Sequence, residues 1–228
     1  MTGGTVSRGT ARHPSRRRTS LWFGLVLIVA GLVMLGYVAW EFWGTNYVSH
    51  QHQKQAVSEL RHAWKQGRSG ASTHFGRARA IIEIPRFGKD YEVPVFEGTS
   101  PAVLAAGYGH FTGTAGPGQV GNYALAAHRV THGEPLRNMP ELQVGDRIRV
   151  LTRKATYVYR LTSPGDGLTV PFTATWVTSP LPKNPDGGVE PKQKKGQRLL
   201  TLTTCSELFH TDNRLVAFGI LQSRTPTR

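Results

Sequence analysis

Apolar and polar positions follow different patterns in successive parts of the chain. Residues 21–40 are twenty consecutive uncharged residues, many of them Leu or Val. As a helix rising ~1.5 Å per residue, this run would extend roughly 30 Å, the thickness of membrane hydrocarbon. Polar residues follow, with apolar ones at helical spacing, and later short apolar runs alternate with turn residues. These patterns divide the chain into a basic tail at 1–20, an anchor at 21–43, a stalk at 44–77, a β-rich domain at 78–222 and a C-terminal tail at 223–228.

The charges around the apolar run predict its orientation. Arginines precede it at positions 8, 12 and 16–18, and Glu41 closes it. Because basic residues stay on the cytoplasmic side, we expect a single-pass protein with a cytoplasmic N-terminus and an extracytoplasmic body. A cleaved signal peptide is the alternative. The run exceeds the usual h-region of about 7–15 residues and no small-x-small cleavage site follows, which favours an uncleaved anchor.

The predicted stalk has a helical pattern and is rich in histidine. Its helical spacing is carried by Ala56, Leu60, Ala63 and Trp64. Its histidines are His50, His52, His62 and His74. A metal patch is one interpretation of these histidines. Solvated polar residues are the favoured one, because no carboxylate or cysteine accompanies them.

The part after residue 78 carries the signals of a domain built from short strands. Apolar or alternating runs bounded by turn residues lie at 80–84, 91–96, 122–128, 147–152, 156–163, 199–205 and 215–221. A short helix is predicted at 100–106, with Ser100 as its N-cap and Gly107 as its end. Many strands with few helices predict an all-β sandwich or barrel.

Two segments of this domain lack a strand pattern. Residues 113–121 are rich in Gly, but the Lys-Ser/Thr of a phosphate-binding loop is absent, so a plain turn is favoured over a phosphate cradle. Residues 164–197 form a long segment with a Pro-, Gly- and Lys-rich end. Segments of this length are usually functional or disordered. Its lysines also fit a solvated surface.

Composition narrows the possible functions. The chain has 228 residues, a net charge of +14 and one cysteine. A single cysteine excludes an intrachain disulfide and a zinc site built on several cysteines. The basic residues are scattered, with no aromatic-interleaved stripe. We therefore expect the positive charge to attract anionic lipid or cell-wall polymer rather than nucleic acid.

The candidate chemistry lies at the edges of three predicted strands. Cys205 ends the run 199–205, Arg214 begins the next run, and His128 ends the run 122–128. A thiol nucleophile, an imidazole acid/base and a permanently charged guanidinium together support acyl transfer through a thioester. Each residue alone has a structural alternative: a small buried apolar group, a hydrogen-bonded histidine or a surface charge.

Alternation along these strands predicts which residues flank the site. Thr203 shares the face of the cysteine, whereas Thr204 points to the other face but adjoins the nucleophile. Ala126 shares the face of the histidine, as Ala124 does. Small residues there either leave room for a peptide or pack tightly, and the sequence does not choose between the two. We predict that Thr203, Thr204 and Ala126 contact a substrate.

These residues match a known family. Thr-Leu-Thr-Thr-Cys at 201–205 resembles the signature of the sortases, in which an arginine follows the cysteine at the position of Arg214. His128, in Leu-Ala-Ala-His-Arg, is similar to the family's catalytic histidine. The resemblance covers about residues 78–221 and is greatest to the class E housekeeping sortases of high-GC Gram-positive bacteria.

The resemblance implies an eight-stranded β-barrel and a cysteine transpeptidase. Cys205 would attack the threonine carbonyl of a Leu-Pro-x-Thr-Gly-like sorting signal, or of Leu-Ala-x-Thr-Gly in class E. His128 would protonate the leaving glycine amine, and Arg214 would hold the oxyanion. The acceptor amine would come from a peptidoglycan precursor or from a pilin lysine. No cofactor is required, and the acidic residues form no recognisable metal cluster.

Two other functions fit the same sequence. A cysteine peptidase would hydrolyse the thioester instead of transferring it to an amine. A membrane-anchored cell-surface binding domain would perform no chemistry and would tolerate Cys205→Ala.

Overall fold

The computed structural model describes residues 15–40, 44–205 and 212–227. Contacts divide the chain into two units, Met1–Glu41 and Phe42–Arg228. In the first unit, helix α1 comprises Ser15–Ala39 and therefore begins inside the predicted basic tail. Its segment Leu21–Val38 has a mean hydropathy of 2.4 and is exposed throughout, and its length and composition suffice to cross a membrane. A signal sequence near the N-terminus has the same properties.

The described part of the second unit contains ten strands that pair into one sheet. They are β1 Ala71–Thr73, β2 Gly76–Glu83, β3 Val93–Glu97, β4 Tyr108–His110, β5 Gly121–Ala126, β6 Arg147–Leu151, β7 Ala155–Leu161, β8 Thr169–Pro171, β9 Arg198–Cys205 and β10 Asn213–Pro226. The pairing order β2-β3-β4-β5-β9-β10-β7-β6 closes into a ring because β6 also pairs with β2. The predicted eight-stranded barrel is therefore confirmed, with β1 and β8 added to its edges.

The strands form because alternate side chains fill the barrel interior. Leu200 and Leu202 of β9 point inward beside Leu125 of β5 and Ala217 of β10, and all four are fully buried. The outward side chains of the same strands are covered by chain segments from outside the ring. Two further clusters of buried residues lie there, one under each of two covering segments.

The first covering segment is helix α2, Thr45–Lys65. Its buried stripe, Ala56, Val57, Leu60 and Ala63, packs on Ile81, Phe96 and Val103 of the barrel unit. Helix α2 has the helical spacing of apolar residues that the sequence predicts. It packs on the barrel unit, however, instead of forming the separate stalk that we expected. An amphipathic helix is stabilised by an apolar surface on which to lie, and the barrel supplies that surface.

The second covering segment is 164–197, which includes β8 and a 3-10 helix at Thr175–Thr178. Val177 of this helix is buried with Val170, Val216 and Phe218 on the outer faces of β8 and β10. The long segment is therefore packed against the barrel. Strand β8, near the start of this segment, was not predicted from the sequence, and neither was the equally short β4. Three residues are too few to show a periodic pattern.

Smaller differences concern the ends of elements. Helix α3, Pro101–Leu104, is capped by Ser100 as predicted but is shorter than expected. Strand β10 continues to Pro226 and pairs with β7, so most of the predicted C-terminal tail is strand. In the Gly-rich turn, the Gly118 amide donates to the Tyr159 hydroxyl at 2.7 Å, and a Cβ at Gly118 would collide with the Tyr157 ring.

Packing of α2 predicts the effect of truncating its central side chain. Leu60→Ala should lower the free energy of unfolding of a protein of residues 44–228 by about 2–4 kcal/mol, because a fully buried leucine leaves a cavity. Urea unfolding measures this change. Gln55→Ala, at an exposed position of the same helix, is the matched control and should change little. Equal effects of both substitutions would contradict the docking of α2.

Candidate active site

Strand register brings the three candidate residues to one end of three neighbouring strands. The backbone of Cys205 pairs with that of Arg214 where β9 and β10 meet. Strand β5 lies parallel to β9 with Ala126 opposite Thr203, and the Ala127 amide donates to the Thr203 carbonyl at 3.2 Å. His128 follows directly. The described part of Cys205 is its backbone, and the residues 206–211 between the strands lie outside the described ranges.

His128 lies in a half-buried position that keeps its ring neutral. Burial is the largest cause that lowers the pKa of His128 to about 4, and the neighbouring His132 and Arg214 side chains act in the same direction. The His132 ring stacks on it, with centroids 4.9 Å apart and planes at 26°. At neutral pH the imidazole is therefore unprotonated and able to accept a proton.

Arg214 provides a permanent positive charge at the same end of the barrel. Its side chain is half-buried, and Nη1 donates to the carbonyl oxygen of Asn213 at 2.9 Å. Its charge acts on His128, as the lowered pKa of that histidine shows. A guanidinium in this position can stabilise a negative oxygen formed between the two strands.

The three predicted substrate contacts occupy both faces of the sheet. Register aligns Thr203 with Ala126 on one side and with Val216 on the other, so these three face outward together. Ala126 is half-buried, whereas Thr203 is 6% exposed. Thr204 faces inward, as alternation predicted. Its hydroxyl donates to the Ala127 carbonyl at 2.7 Å, so it supports the backbone before His128. The predicted contact of Thr204 with substrate stays a prediction.

Asn122 is a structural residue of the site that the sequence reading missed. Its Nδ2 donates to the carbonyl oxygens of Val177 at 3.0 Å and Ser179 at 3.1 Å, while its Oδ1 accepts from the Thr201 hydroxyl at 2.8 Å. The side chain is 1% exposed and joins β5, β9 and the segment 164–197. An asparagine within the apolar run 122–127 was the available signal, but its partners are distant in sequence.

Metal ligands form no cluster in the described ranges. Across residues 15–40, 44–205 and 212–227, no group of three or more His, Cys, Asp or Glu side chains could hold a metal ion. Three of the four histidines of the predicted stalk lie on α2, and His52 and His74 contact the Phe75 ring. The expectation that no metal or cofactor takes part stays a prediction.

Comparison with known proteins identifies the family. Residues 82–222 match the sortase domain, so the chain belongs to the sortase family, whose members are cysteine transpeptidases. Sortase SrtE1 of Streptomyces coelicolor is 34% identical over 97% of this chain, which spans 64% of the length of SrtE1. Class E sortases are thus among the relatives to which the chain is similar.

Solved class E structures share the fold. The structure of sortase E from Streptomyces avermitilis is 33% identical, with a TM-score of 0.57 over 68% of this chain and 93% of that one. That of sortase E1 from Streptomyces coelicolor, solved with a tripeptide in the active site, is 33% identical with a TM-score of 0.55, covering 64% of this chain and 89% of that one.

The lowered pKa of His128 predicts a pH dependence of stability. Between about pH 6.5, the usual imidazole value, and about pH 4, the unfolded chain binds more protons at this residue than the folded chain does. The contribution of His128 to stability is thus present above pH 6.5 and is lost as pH falls towards 4. Thermal unfolding should show a Tm loss between pH 7 and 5 that is smaller in His128→Gln. Parallel slopes in the two proteins would contradict this.

The buried contacts of Asn122 predict how firmly the segment 164–197 is held. Asn122→Ala should cost about 2–4 kcal/mol in urea unfolding, since it leaves two carbonyl oxygens and the Thr201 hydroxyl without this partner. It should also speed proteolytic cleavage between residues 183 and 196. Thr178→Ala removes an exposed hydroxyl of the same segment and serves as control. A loss below about 0.5 kcal/mol for Asn122→Ala would contradict the bridging role.

Proposed function

We propose that the chain is a membrane-anchored cysteine transpeptidase that cleaves a C-terminal sorting signal between Thr and Gly. The observation that carries the proposal is the register that pairs Cys205 with Arg214 while β5 leads to His128. Family membership supports the reaction class. In this proposal Cys205 is the nucleophile, His128 the acid/base and Arg214 the oxyanion partner.

The first half of the reaction forms a thioester. Neutral His128 takes the thiol proton as Sγ of Cys205 attacks the threonine carbonyl carbon, and the carbonyl electron pair moves onto the oxygen. The guanidinium of Arg214 stabilises this oxyanion. When the intermediate collapses, the C–N bond to glycine breaks and the imidazolium gives its proton to the leaving amine. The lowered pKa of His128 favours this donation, because a weakly basic imidazole releases its proton readily.

The second half transfers the acyl group. The acceptor amine attacks the thioester carbon, the C–S bond breaks, and the sulfur leaves as thiolate. Neutral His128 takes the proton that the new amide must lose and returns it to the sulfur. Water in place of the amine would give hydrolysis by the same steps. A peptidoglycan precursor amine is the proposed acceptor, and a pilin lysine is the alternative.

The outward face of β5, β9 and β10 supports a peptide site. Ala126, which is half-buried, and Thr203 present small side chains on this face, beside the nucleophile position. The segment 164–197 borders it as a wall. Phe172 of this segment is 61% exposed, and its amide donates to the Asp212 carbonyl at 2.6 Å, close to the start of β10. This exposed ring suits an apolar residue of a Leu-Ala-x-Thr-Gly or Leu-Pro-x-Thr-Gly signal.

Helix α1 supports the location. Its exposed apolar segment suits a single span, and the arginines before it suit a cytoplasmic N-terminus with the barrel outside. Surface-protein precursors carrying the sorting signal would then meet the enzyme at the outer surface of the membrane.

Transfer to an amine is the decisive measurement. The full chain in detergent is incubated with fluorogenic Leu-Ala-x-Thr-Gly and Leu-Pro-x-Thr-Gly peptides, with and without an amine acceptor, and products are analysed by mass spectrometry. We expect cleavage between Thr and Gly with the acceptor joined to Thr, and none with Cys205→Ala. Arg214→Lys keeps the charge but not the planar donor fork, and should lower kcat/KM by about 10²-fold or more.

The other outcomes separate the alternatives. Hydrolysed product alone, with acceptor present, would favour a peptidase. No cleavage of either peptide and no acyl adduct on Cys205 would contradict the proposal and favour a binding domain.

A further inference from the structure

The loop after His128 contains a strained turn. His132 has a φ of 56°, Gly133 of 76° and Glu134 of 46°, so three successive residues adopt the left-handed conformation. Two of them carry a side chain, which makes this backbone costly. Such a turn persists only where its surroundings hold it.

Helix α2 holds the turn through one side chain. Asn46, in the first turn of the helix, accepts from the Gly133 amide through Oδ1 at 2.9 Å. Its Nδ2 donates to Oε1 of Glu134 at 2.5 Å, and the other carboxylate oxygen of Glu134 accepts from Arg137 at 2.5 Å. Both neighbouring residues of the turn are therefore bound by the same amide group.

The helix and the turn are also in close contact. Ser49 and Gln53 follow Asn46 by three and seven residues and lie on the same face of α2, and each is 4% exposed. A Cβ at Gly133 would lie 2.4 Å from Nε2 of Gln53 and 3.2 Å from Cβ of Ser49. Glycine is required there both for its φ and for space. The contact leaves the turn no room to move towards α2.

The turn positions a ring on His128. The base of the loop is closed by the Leu136 amide, which donates to the His128 carbonyl at 3.0 Å. Tyr91 donates from its hydroxyl to the Pro135 carbonyl at 2.6 Å. With the base fixed on the barrel, the conformation of residues 132–134 decides where the His132 ring lies. That ring stacks on His128.

We propose that Asn46 is a positioning residue for His128, acting through the left-handed turn 132–134 and the stacked ring of His132. The inference rests on the proposed function, in which His128 moves the proton. Helix α2 thereby becomes part of the active-site support. Groups that orient a proton-transferring side chain govern the rate strongly, since small displacements misalign the transfer.

The test uses the full chain in detergent and two substitutions on the same helix. Asn46→Ala removes the contacts with the turn. Arg61→Ala is the matched control, because it removes the 2.5 Å ion pair of α2 with Glu92 and keeps both contacts of Asn46 with the turn. Peptide transfer kinetics, thermal unfolding and NMR spectra of ¹³C-labelled histidines are recorded for each protein. The resonances of His128 and His132 are assigned with His128→Gln and His132→Gln.

We expect Asn46→Ala to lower kcat about 10- to 100-fold with KM changed less than about threefold. Its His128 and His132 resonances should shift, whereas Arg61→Ala should leave both kcat and these resonances near those of the unaltered protein. Asn46→Asp keeps an acceptor for the Gly133 amide but repels Glu134, and should lie between the two.

Two results would overturn the inference. One is an Asn46→Ala protein with unchanged kcat and unchanged histidine resonances. The other is an equal loss of kcat in Asn46→Ala and Arg61→Ala that follows their loss of Tm, which would assign Asn46 to the docking of α2 alone. If the unaltered protein neither cleaves nor transfers any peptide, the proposed function fails, and the histidine resonances still decide whether Asn46 holds the turn.

Discussion

Parallel pairing between β5 and β9 is the interaction on which the site depends. It aligns Ala126 with Thr203, while antiparallel pairing aligns Cys205 with Arg214. A shift of one residue in either register would turn the side chains of that strand to the opposite face of the sheet. Inward leucines on β9 oppose such a shift, because it would move them out of the apolar barrel interior and place threonines there. The packing of the barrel interior thus determines the geometry of the outer face.

The environment of His128 favours the neutral form of its imidazole. Burial, followed by the neighbouring His132 and Arg214 side chains, lowers its pKa, so the ring is neutral at rest. The same charges that disfavour protonation favour an oxyanion nearby, since Arg214 offers its donors to negative oxygen. In the proposed reaction the imidazolium exists only transiently, and it forms together with the negative oxygen that offsets its charge.

Two segments outside the ring complete the surroundings of the site. The segment 164–197 is held to β5 and β9 by Asn122, and α2 is held by an apolar stripe that ends in the polar residues Asn46, Ser49 and Gln53. One segment packs on the outer face of β10 beside the proposed peptide surface, and the other contacts the loop after His128. Both cover apolar barrel surface, so their positions near the site follow from the same burial that stabilises the fold.

The sequence by itself determined the apolar helix, the all-β character, the family signature at 201–205 and the candidate residues Cys205, His128 and Arg214. Periodic patterns, turn residues and short motifs each lie within a few neighbouring residues, so they can be recognised without the fold. Tertiary structure alone decided the contacts that join distant parts of the chain. These contacts are the packing of α2 on the barrel and the hydrogen bond from Thr204 to Ala127. They also include the hydrogen bonds from Asn122 to the segment 164–197 and the stacking of His132 on His128. A polar residue in an apolar run indicates a buried hydrogen bond but does not identify its partner. The partner is determined by strand register and by packing across the whole barrel.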